Sequence, residues 1–447
     1  MSSNKRAENA RRIRESRIYK SNVAGVLKST IKSNVDDTEV DIRKCNIFDY
    51  CEHLFRDTVE VRIQFTDTGS TVNNKSLLEG LPLVGTEDFS FEIQDALEQK
   101  LKMDLIVNKV TPLNQDTKKQ EILLNMTSEE FIRNEQISSS VKKRYDGKID
   151  AHVKEILKDN LKAKFLDENI KPTANSYNFI GNKRRALYIL NWLSNRSVPT
   201  GEDGKLGDSA GFILYQTSDG YHFKSIDFLF SQEPKRKYAF TGNPLDNNAQ
   251  YDGIISKLSS NVEIVANKTL RAGAYNTKMV VFDPFNCFYQ VIEQNAEETK
   301  SGTTVAGKGL PIFNEKFKTD GTRTTYVLKD RGSLPSGDVT QQIEQNEEEN
   351  YEVDKILNQG IRRYNQFKCT TFTITIPADF NLHVGDAISI DLKSLKDDTS
   401  GDVDKTQGGK YVILRLTHRL SRGEAKTTME VVRDSVGRKV EDTNILN

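Results

Sequence analysis

The chain has 447 residues, room by the usual size of about 150 per domain for roughly three domains, which excludes a single small module. Its 64 Lys and Arg equal its 64 Asp and Glu, so no global field draws it to nucleic acid or anionic lipid, and any such affinity must be local. With 29% charged and 36% hydrophobic residues, it carries more surface or loop than a compact enzyme usually does, which fits an extended or assembling protein.

Residues 1–20 form a basic arm, with Lys5, Arg6, Arg11, Arg12, Arg14, Arg17 and Lys20 against Glu8 and Glu15. It is either a solvated terminus or an arm that orders on an acidic partner. It lacks the apolar core of a secretory signal, and the longest apolar stretch, eight residues at 186–193, is far below the roughly 20 of a membrane span, so folding in a cytosol is expected. Cys45, Cys51, Cys287 and Cys369 form no C-x-x-C pair and read as reduced core thiols.

Val59, Val61, Ile63 and Phe65 alternate with Glu60, Arg62 and Gln64, the mark of a strand with one buried and one wet face. Helices follow. Thr127-Ser128-Glu129-Glu130 offers a capping box before Phe131 and Ile132. Ile149, Val153, Ile156 and Leu157 share one helix face, as do Ala186, Ile189, Leu190 and Leu193 around Trp192, which reads as a packed residue. Residues 212–217 and 221–226 flank Ser218-Asp219-Gly220 as a hairpin. The acidic run Glu344, Glu347, Glu348, Glu349, Glu352 and Asp354 follows the Pro/Gly/Ser-rich 333–338 and reads as a linker or exposed loop. Phe372, Ile374 and Ile376 alternate with threonines until Pro377 ends the run.

One long-period repeat carries the most information. Residues 81–93 (LPLVGTEDFSFEI) resemble residues 381–392 (NLHVGDAISIDL): Val84-Gly85 and Val384-Gly385 each end a turn, and alternating strands follow, with Phe89, Phe91 and Ile93 in one and Ile388, Ile390 and Leu392 in the other. Each copy then gives a second strand (105–110; 411–418) and a third (120–125; 427–434). Such a meander has an apolar face and two unpaired edges, and closing it into a barrel removes both problems. The fold class expected is α+β, predominantly β, with two similar small antiparallel β-barrels and helix-containing connecting domains.

No strong chemical motif is present. Residues 301–309 (SGTTVAGKG) have the G-x-x-x-x-G-K spacing of a phosphate loop, but Gly309 stands where the metal-binding hydroxyl would be. His53, His152, His222, His383 and His418 show no ligand spacing, so no metal or cofactor is expected. Serines lack a nucleophile elbow, and the chain is read as a non-enzyme. Residues 235–240 (KRKYAF) interleave bases and aromatics, as a strand end or a phosphate track would.

Residues 186–193 (ALYILNWL), 211–226 (GFILYQTSDGYHFKSI), 408–434 (GGKYVILRLTHRLSRGEAKTTMEVVRD) and 134–157 together resemble the baseplate hub proteins of contractile-tailed bacteriophages, over roughly residues 20–440. The resemblance implies two tube-like barrels per subunit and a homotrimer whose six barrels form a pseudo-sixfold ring. It further implies a virion adaptor between the hexameric tail tube and the trimeric central spike, with neighbouring baseplate (wedge) proteins and tube or tube-initiator proteins as partners and a lumen through which DNA leaves. The bore should be wide, wet and not strongly positive. The implied division is a basic arm at 1–20, a first barrel at 21–110 with its closing strand to about 125, and a helix-containing domain at 111–208. A discontinuous second barrel at 209–240 plus 366–437 follows, with a spike-facing or peripheral domain at 241–365 and a tail at 438–447. Gly85, Gly385, Asp219, Gly220 and Asp386 are assigned to turns, Asp386 as acceptor of a backbone N–H, and Tyr411 and His418 to a barrel strand, with His418 packed rather than switching. Arg433 and Asp434 are assigned to pairing across a subunit boundary. Two other classes compete: a cell-wall-degrading spike domain, and a DNA-binding protein that uses the basic arm.

Overall fold

The computed structural model describes residues 24–200 (without 37, 82 and 117), 209–240, 251–260, 266–294 (without 275, 285 and 286), 304–309, 323–329, 338–340, 353–392, 404, 406–421 and 424–437. The basic arm, the glutamates of the acidic run and the tail from 438 lie outside these residues.

Alternation dictates strands, and strands dominate. The first group is β1 (Gly25–Lys32), β2 (Glu39–Asp41), β3 (Ile47–His53), β4 (Glu60–Asp67), β5 (Asp88–Gln94), β6 (Lys100–Gln115) and β7 (Gln120–Thr127). Helices α1 (Glu129–Arg133), α2 (Ile149–Ile156) and α3 (Ala186–Ser194) follow, then the hairpin β8 (Phe212–Thr217) and β9 (Gly220–Ser225), and α4 (Ile226–Ser231). The rest comprises β10 (Arg236–Phe240), β11 (Gly253–Ile254), β12 (Lys257–Ser260), β13 (Thr277–Asp283), β14 (Phe288–Gln294), β15 (Arg323–Leu328), α5 (Val353–Gln366), β16 (Thr370–Pro377), β17 (Ala387–Leu392), β18 (Gly409–Ser421) and β19 (Glu424–Arg433).

Fourteen of these strands form one sheet made of two halves with the same order: β3-β4-β7-β6-β5-β1-β2 and β12-β16-β19-β18-β17-β10-β11. The halves share detail as well as order. In both, the long strand bulges at the same place: pairing of β6 with β7 skips between Val107 and Lys109, and pairing of β18 with β19 skips between Ile413 and Arg415. Just before each bulge the turn is tied identically, by Thr86 N–H to Val107 O and Val107 N–H to Glu87 O in one half, and by Gly385 N–H to Ile413 O and Ile413 N–H to Asp386 O in the other. This register aligns Gly385 with Thr86, whose φ is also positive at +73°, and so moves the sequence match of Gly385 with Gly85 by one residue. One difference is that β10 runs parallel to β17, whereas β1 is antiparallel to β5.

Neither half closes as a single ladder among the described strands. In each, one stretch of chain crosses between the outer strands in two short pieces: β2 pairs with β1 before β3 pairs with β4, and β11 pairs with β10 before β12 pairs with β16. The pieces are separate because the chain must turn sharply to leave one outer strand and reach the other. β11 and β12 fall in the stretch expected to be peripheral, so the second half draws on more of the chain than the sequence division gave it.

The hairpin β8–β9, expected in the second barrel, forms a two-stranded sheet of its own in the described structure, with one further bridge from Phe223 to Ile170. Every residue of β8 is buried, and period two explains why: Ile213 and Tyr215 join the core of the sheet, while Phe212 and Leu214 join the core of the helical unit. It is the layer between them. The helical core holds the predicted faces of α2 and α3, with Trp192 half-buried against it. Ser128 precedes α1 without capping it, because its hydroxyl sits 3.0 Å from that of Thr58. In the sheet core Phe91 packs against Phe48 and Phe89 at centroid distances of 5.3 and 5.9 Å, each buried ring stabilising by about 1.5–3 kcal/mol.

Candidate functional site: the junction of the two halves and its polar face

The halves meet where the last seven residues of β18 pair with β3, from Arg415 opposite His53 to Ser421 opposite Ile47. The pleat then sorts side chains into two faces. Leu416, His418 and Leu420 of β18, with Phe48 and Tyr50 of β3, point into the core; Arg415, Thr417 and Arg419, with Asp49 and Cys51, point outward.

The outward face is polar across both halves. It forms a shallow recess of about 550 Å³ that includes Arg62, Lys257, Thr373, Thr375, Lys426, Thr428 and Glu430. Arg419 grips Asp49 with two hydrogen bonds of 2.7 Å directly across the junction. Arg62 grips Glu60 at 2.9 and 2.8 Å; burial alone would raise the Glu60 pKa, but Arg62 and Arg56 outweigh it and lower it. The bases Arg62, Lys109, Lys257, Arg415, Arg419 and Lys426 stand beside the acids Asp49, Glu60, Glu121, Glu424 and Glu430 on this face, so its charges come close to balance.

Behind that face lies a buried polar clamp. The Glu52 carboxylate, on the inward side of β3, accepts the Tyr50 hydroxyl at 2.6 Å and the Val384 N–H at 2.9 Å, and lies 2.8 Å from His383 Nδ1. Burial works against a charged His383 ring, but Glu52 and then Asp386 outweigh it and raise its pKa above the ordinary histidine value. Asp95, at the end of β5, adds a second tie by accepting the Phe380 N–H at 3.1 Å. Both ties join the first half to the turn at 379–386 of the second.

The assigned residues fall as follows. Gly385 has φ +82°, and a Cβ there would lie 2.5 Å from the Tyr215 hydroxyl; Gly85 has φ +92° and open space around it. Asp386 accepts the His383 N–H at 3.0 Å, and Glu87 holds the Val84 and Gly85 N–H groups in the matching turn. Gly220, at φ +111°, closes the Ser218-Asp219 turn, and a Cβ there would collide with Lys164 O. Tyr411 lies under the Arg433 guanidinium, 4.7 Å from its ring centre, and bonds to Gln407 O. His418 is fully buried, stacked on Tyr50 and 2.8 Å from the Thr427 hydroxyl; burial pushes its pKa down to about 3.

Arg433 and Asp434 correct the expectation of a subunit boundary. Arg433 donates to Ser435 O, Gly408 O and Thr406 O, and Asp434 accepts Arg363 Nη1 at 3.1 Å, so both are buried and occupied inside the chain. The phosphate-loop lookalike is likewise spent on packing, since Ala306 N–H goes to Asp434 and Gly307 N–H to Ser435 Oγ. In 235–240, Lys235, Arg236 and Lys237 each face an aspartate, Asp386, Asp379 and Asp391 respectively. Among the described residues no group of three or more His, Cys, Asp or Glu is placed to hold a metal ion, and no helix is long and apolar enough to cross a membrane.

No family model and no curated protein matches the chain. Solved structures do. It is similar to the 43 kDa tail protein of prophage MuSo2 from Shewanella oneidensis, with 8% identity and a TM-score of 0.49 over 91% of this chain and 98% of that one. It is similar to a tail protein from Neisseria meningitidis, with 10% identity and a TM-score of 0.48 over 93% and 98%. An E. coli component of the type VI secretion system follows, with 9% identity and a TM-score of 0.38 over 93% and 79%.

Sequence reasoning missed Glu52, Asp95 and Arg363. Glu52 had a signal: it occupies an inward position of β3, where period two calls for an apolar residue, and a charge there demands a buried partner. Arg363 had none, because its partners Asp227, Thr304 and Asp434 are scattered along the chain.

Proposed function

We propose that this chain is a structural hub subunit of a contractile phage tail baseplate. Three copies form a ring that joins the hexameric tail tube to the trimeric spike and lines the DNA-exit channel with the polar face described above. The duplication carries this reading: two halves with the same strand order, the same bulge and the same tied turn, continuous with one another through β3 and β18. Each half is then one tube-like unit, its barrel completed by the crossing segments β2–β3 and β11–β12. Six such units in three chains meet a sixfold tube on one side and a threefold spike on the other.

The charge balance of the outward face supports its role as a bore. A cationic wall would exchange counterions with DNA and hold the phosphates, whereas paired Arg419–Asp49 and Arg62–Glu60 leave few bare cations. Neighbouring wedge proteins and a tube-initiator protein complete the partners, in a virion tail baseplate. The test is the mass by light scattering of the chain alone and mixed with its spike protein. A species of three times 50.7 kDa, alone or within a threefold complex, is expected, and a monomer in both conditions overturns the reading.

A further inference from the structure

The helical unit departs from the charge balance of the chain. Residues 129–200, which hold α1 to α3, carry fourteen Lys and Arg against nine Asp and Glu, an excess of five in a protein of zero net charge. Folding gathers part of that excess on one patch of surface. Val141 N–H reaches Arg184 O at 2.8 Å, Gly181 N–H reaches Lys143 O at 3.0 Å, and Tyr145 stacks on Phe179 at a centroid distance of 5.0 Å. The segments 141–145 and 179–185 therefore run side by side, so closely that a Cβ at Gly181 would collide with Val141. Lys142, Lys143, Arg144, Lys183, Arg184 and Arg185 are brought together by this pairing. Glu155 and Asp159 answer Lys143, Asp146 answers Arg144, and Glu135 answers Arg185. Lys142, Lys183 and Arg184 are exposed and form no ion pair among the described residues. Lys183 has a φ of +56°, so a cation occupies a turn position that glycine would fill without strain.

Apolar groups interleave with these cations. Where Arg144 pairs with Ile180, the neighbouring Tyr145 and Phe179 are buried and Ile180 turns outward, 49% exposed. Tyr188 of α3 is 56% exposed and has the Arg184 guanidinium 5.7 Å from its ring centre. We infer that this patch docks an acidic segment of a partner protein, with Asp or Glu side chains meeting Lys142, Lys183 and Arg184 and an apolar side chain settling against Tyr188 and Ile180. Charge complementarity fixes the sign of the partner, since opposite potentials steer encounter and set register. The apolar members fix its class. Tyr and Arg are the side chains that anchor protein contacts, whereas a track for phosphates uses cations and stacking rings and has no use for an exposed isoleucine. The inference goes beyond the hub reading and does not depend on it, because the surface belongs to the helical unit and not to the sheet.

The probe is a fluorescein-labelled random copolymer of glutamate and tyrosine, its binding to the full chain followed by anisotropy at about 0.15 M salt. Lys142→Glu, Lys183→Glu and Arg184→Glu together should weaken binding about tenfold or more, each lost pair being worth about two- to fivefold. Lys44→Glu, Lys75→Glu and Lys118→Glu together change the net charge equally at exposed positions of the first half and should weaken it less than about twofold, because salt screens distant charges. Tyr188→Ser should weaken it about threefold without altering the salt dependence, as loss of an apolar anchor would. The basic arm is the same in every variant and cancels from the comparison. Equal losses in the two triple variants, or a loss below about twofold in the first, overturn the docking surface. A labelled single-stranded DNA that binds more tightly than the copolymer, and loses as much in the first triple variant, overturns the acidic protein as occupant. None of these outcomes bears on the mass of the chain with its spike, so the hub reading stands or falls separately.

Discussion

Breaking the buried clamp at Glu52 should loosen one half of the sheet from the other. The carboxylate takes three close polar contacts, from Tyr50, Val384 and His383, and is itself buried. A hydrogen bond to a charged group contributes roughly 1.5–3 kcal/mol, and removing one partner of a buried pair costs about 3–5 kcal/mol. Glu52→Leu is therefore expected to cost about 3–5 kcal/mol, a large part of the roughly 5–15 kcal/mol of a typical domain, and Glu52→Gln about 2 kcal/mol less than that. Urea unfolding of Glu52→Gln, His383→Gln and the double variant closes a cycle whose coupling should be about 1–2 kcal/mol. The coupling has a sign in pH. The folded pKa of His383 is raised, so its contribution is full below the unfolded value and fades as pH rises through the folded one. Coupling should accordingly be larger at about pH 6 than at about pH 9. Coupling below about 0.5 kcal/mol at both, the usual noise of additivity, would refute the clamp.

Gly385→Ala must place a Cβ against the Tyr215 hydroxyl at positive φ and should cost about 2–4 kcal/mol, whereas Gly85→Ala, strained but unobstructed, should cost about 1 kcal/mol in the same urea assay. Arg433→Glu should destabilise the monomer itself by about 3 kcal/mol or more, since the new acid would sit among carbonyl oxygens; a normal melting curve with weakened association would contradict this. Burial holds His222 and His418 neutral, down to about pH 3 for each, while the unfolded chain binds protons from about 6.5. Stability should fall by about 1.4 kcal/mol per pH unit per histidine between those limits, and His418→Phe should flatten that acid limb, as pH-dependent urea midpoints would show.

Much of the architecture was legible because period two and turn residues are local signals. The repeat surfaced because Phe89, Phe91 and Ile93 must alternate for the same reason as Ile388, Ile390 and Leu392: each strand has one face in the core. The one-residue offset at Gly385 did not surface, because Thr86 takes up a positive φ that sequence reasoning reserves for glycine. The hairpin was legible from Ser218-Asp219-Gly220, but its place between two cores was not: burial on both faces erases the contrast that tells a sheet edge from a filling layer. The candidate site was the least legible part. Asp49 and Arg419 lie 370 positions apart and meet only because the two halves share a ladder. Arg433 and Asp434 looked like surface charge for the converse reason: nothing adjacent in sequence announces the carbonyl oxygens and Arg363 that enclose them.

The most direct test of the account is single-particle imaging of the assembled chain with its spike. Class averages viewed down the axis should show a hollow ring of three chains with strong sixfold rotational power in its wall, from six like half-sheets around an open bore. A ring with threefold power alone, or a particle without a central opening, would contradict the claim that two equivalent halves of each chain build the channel.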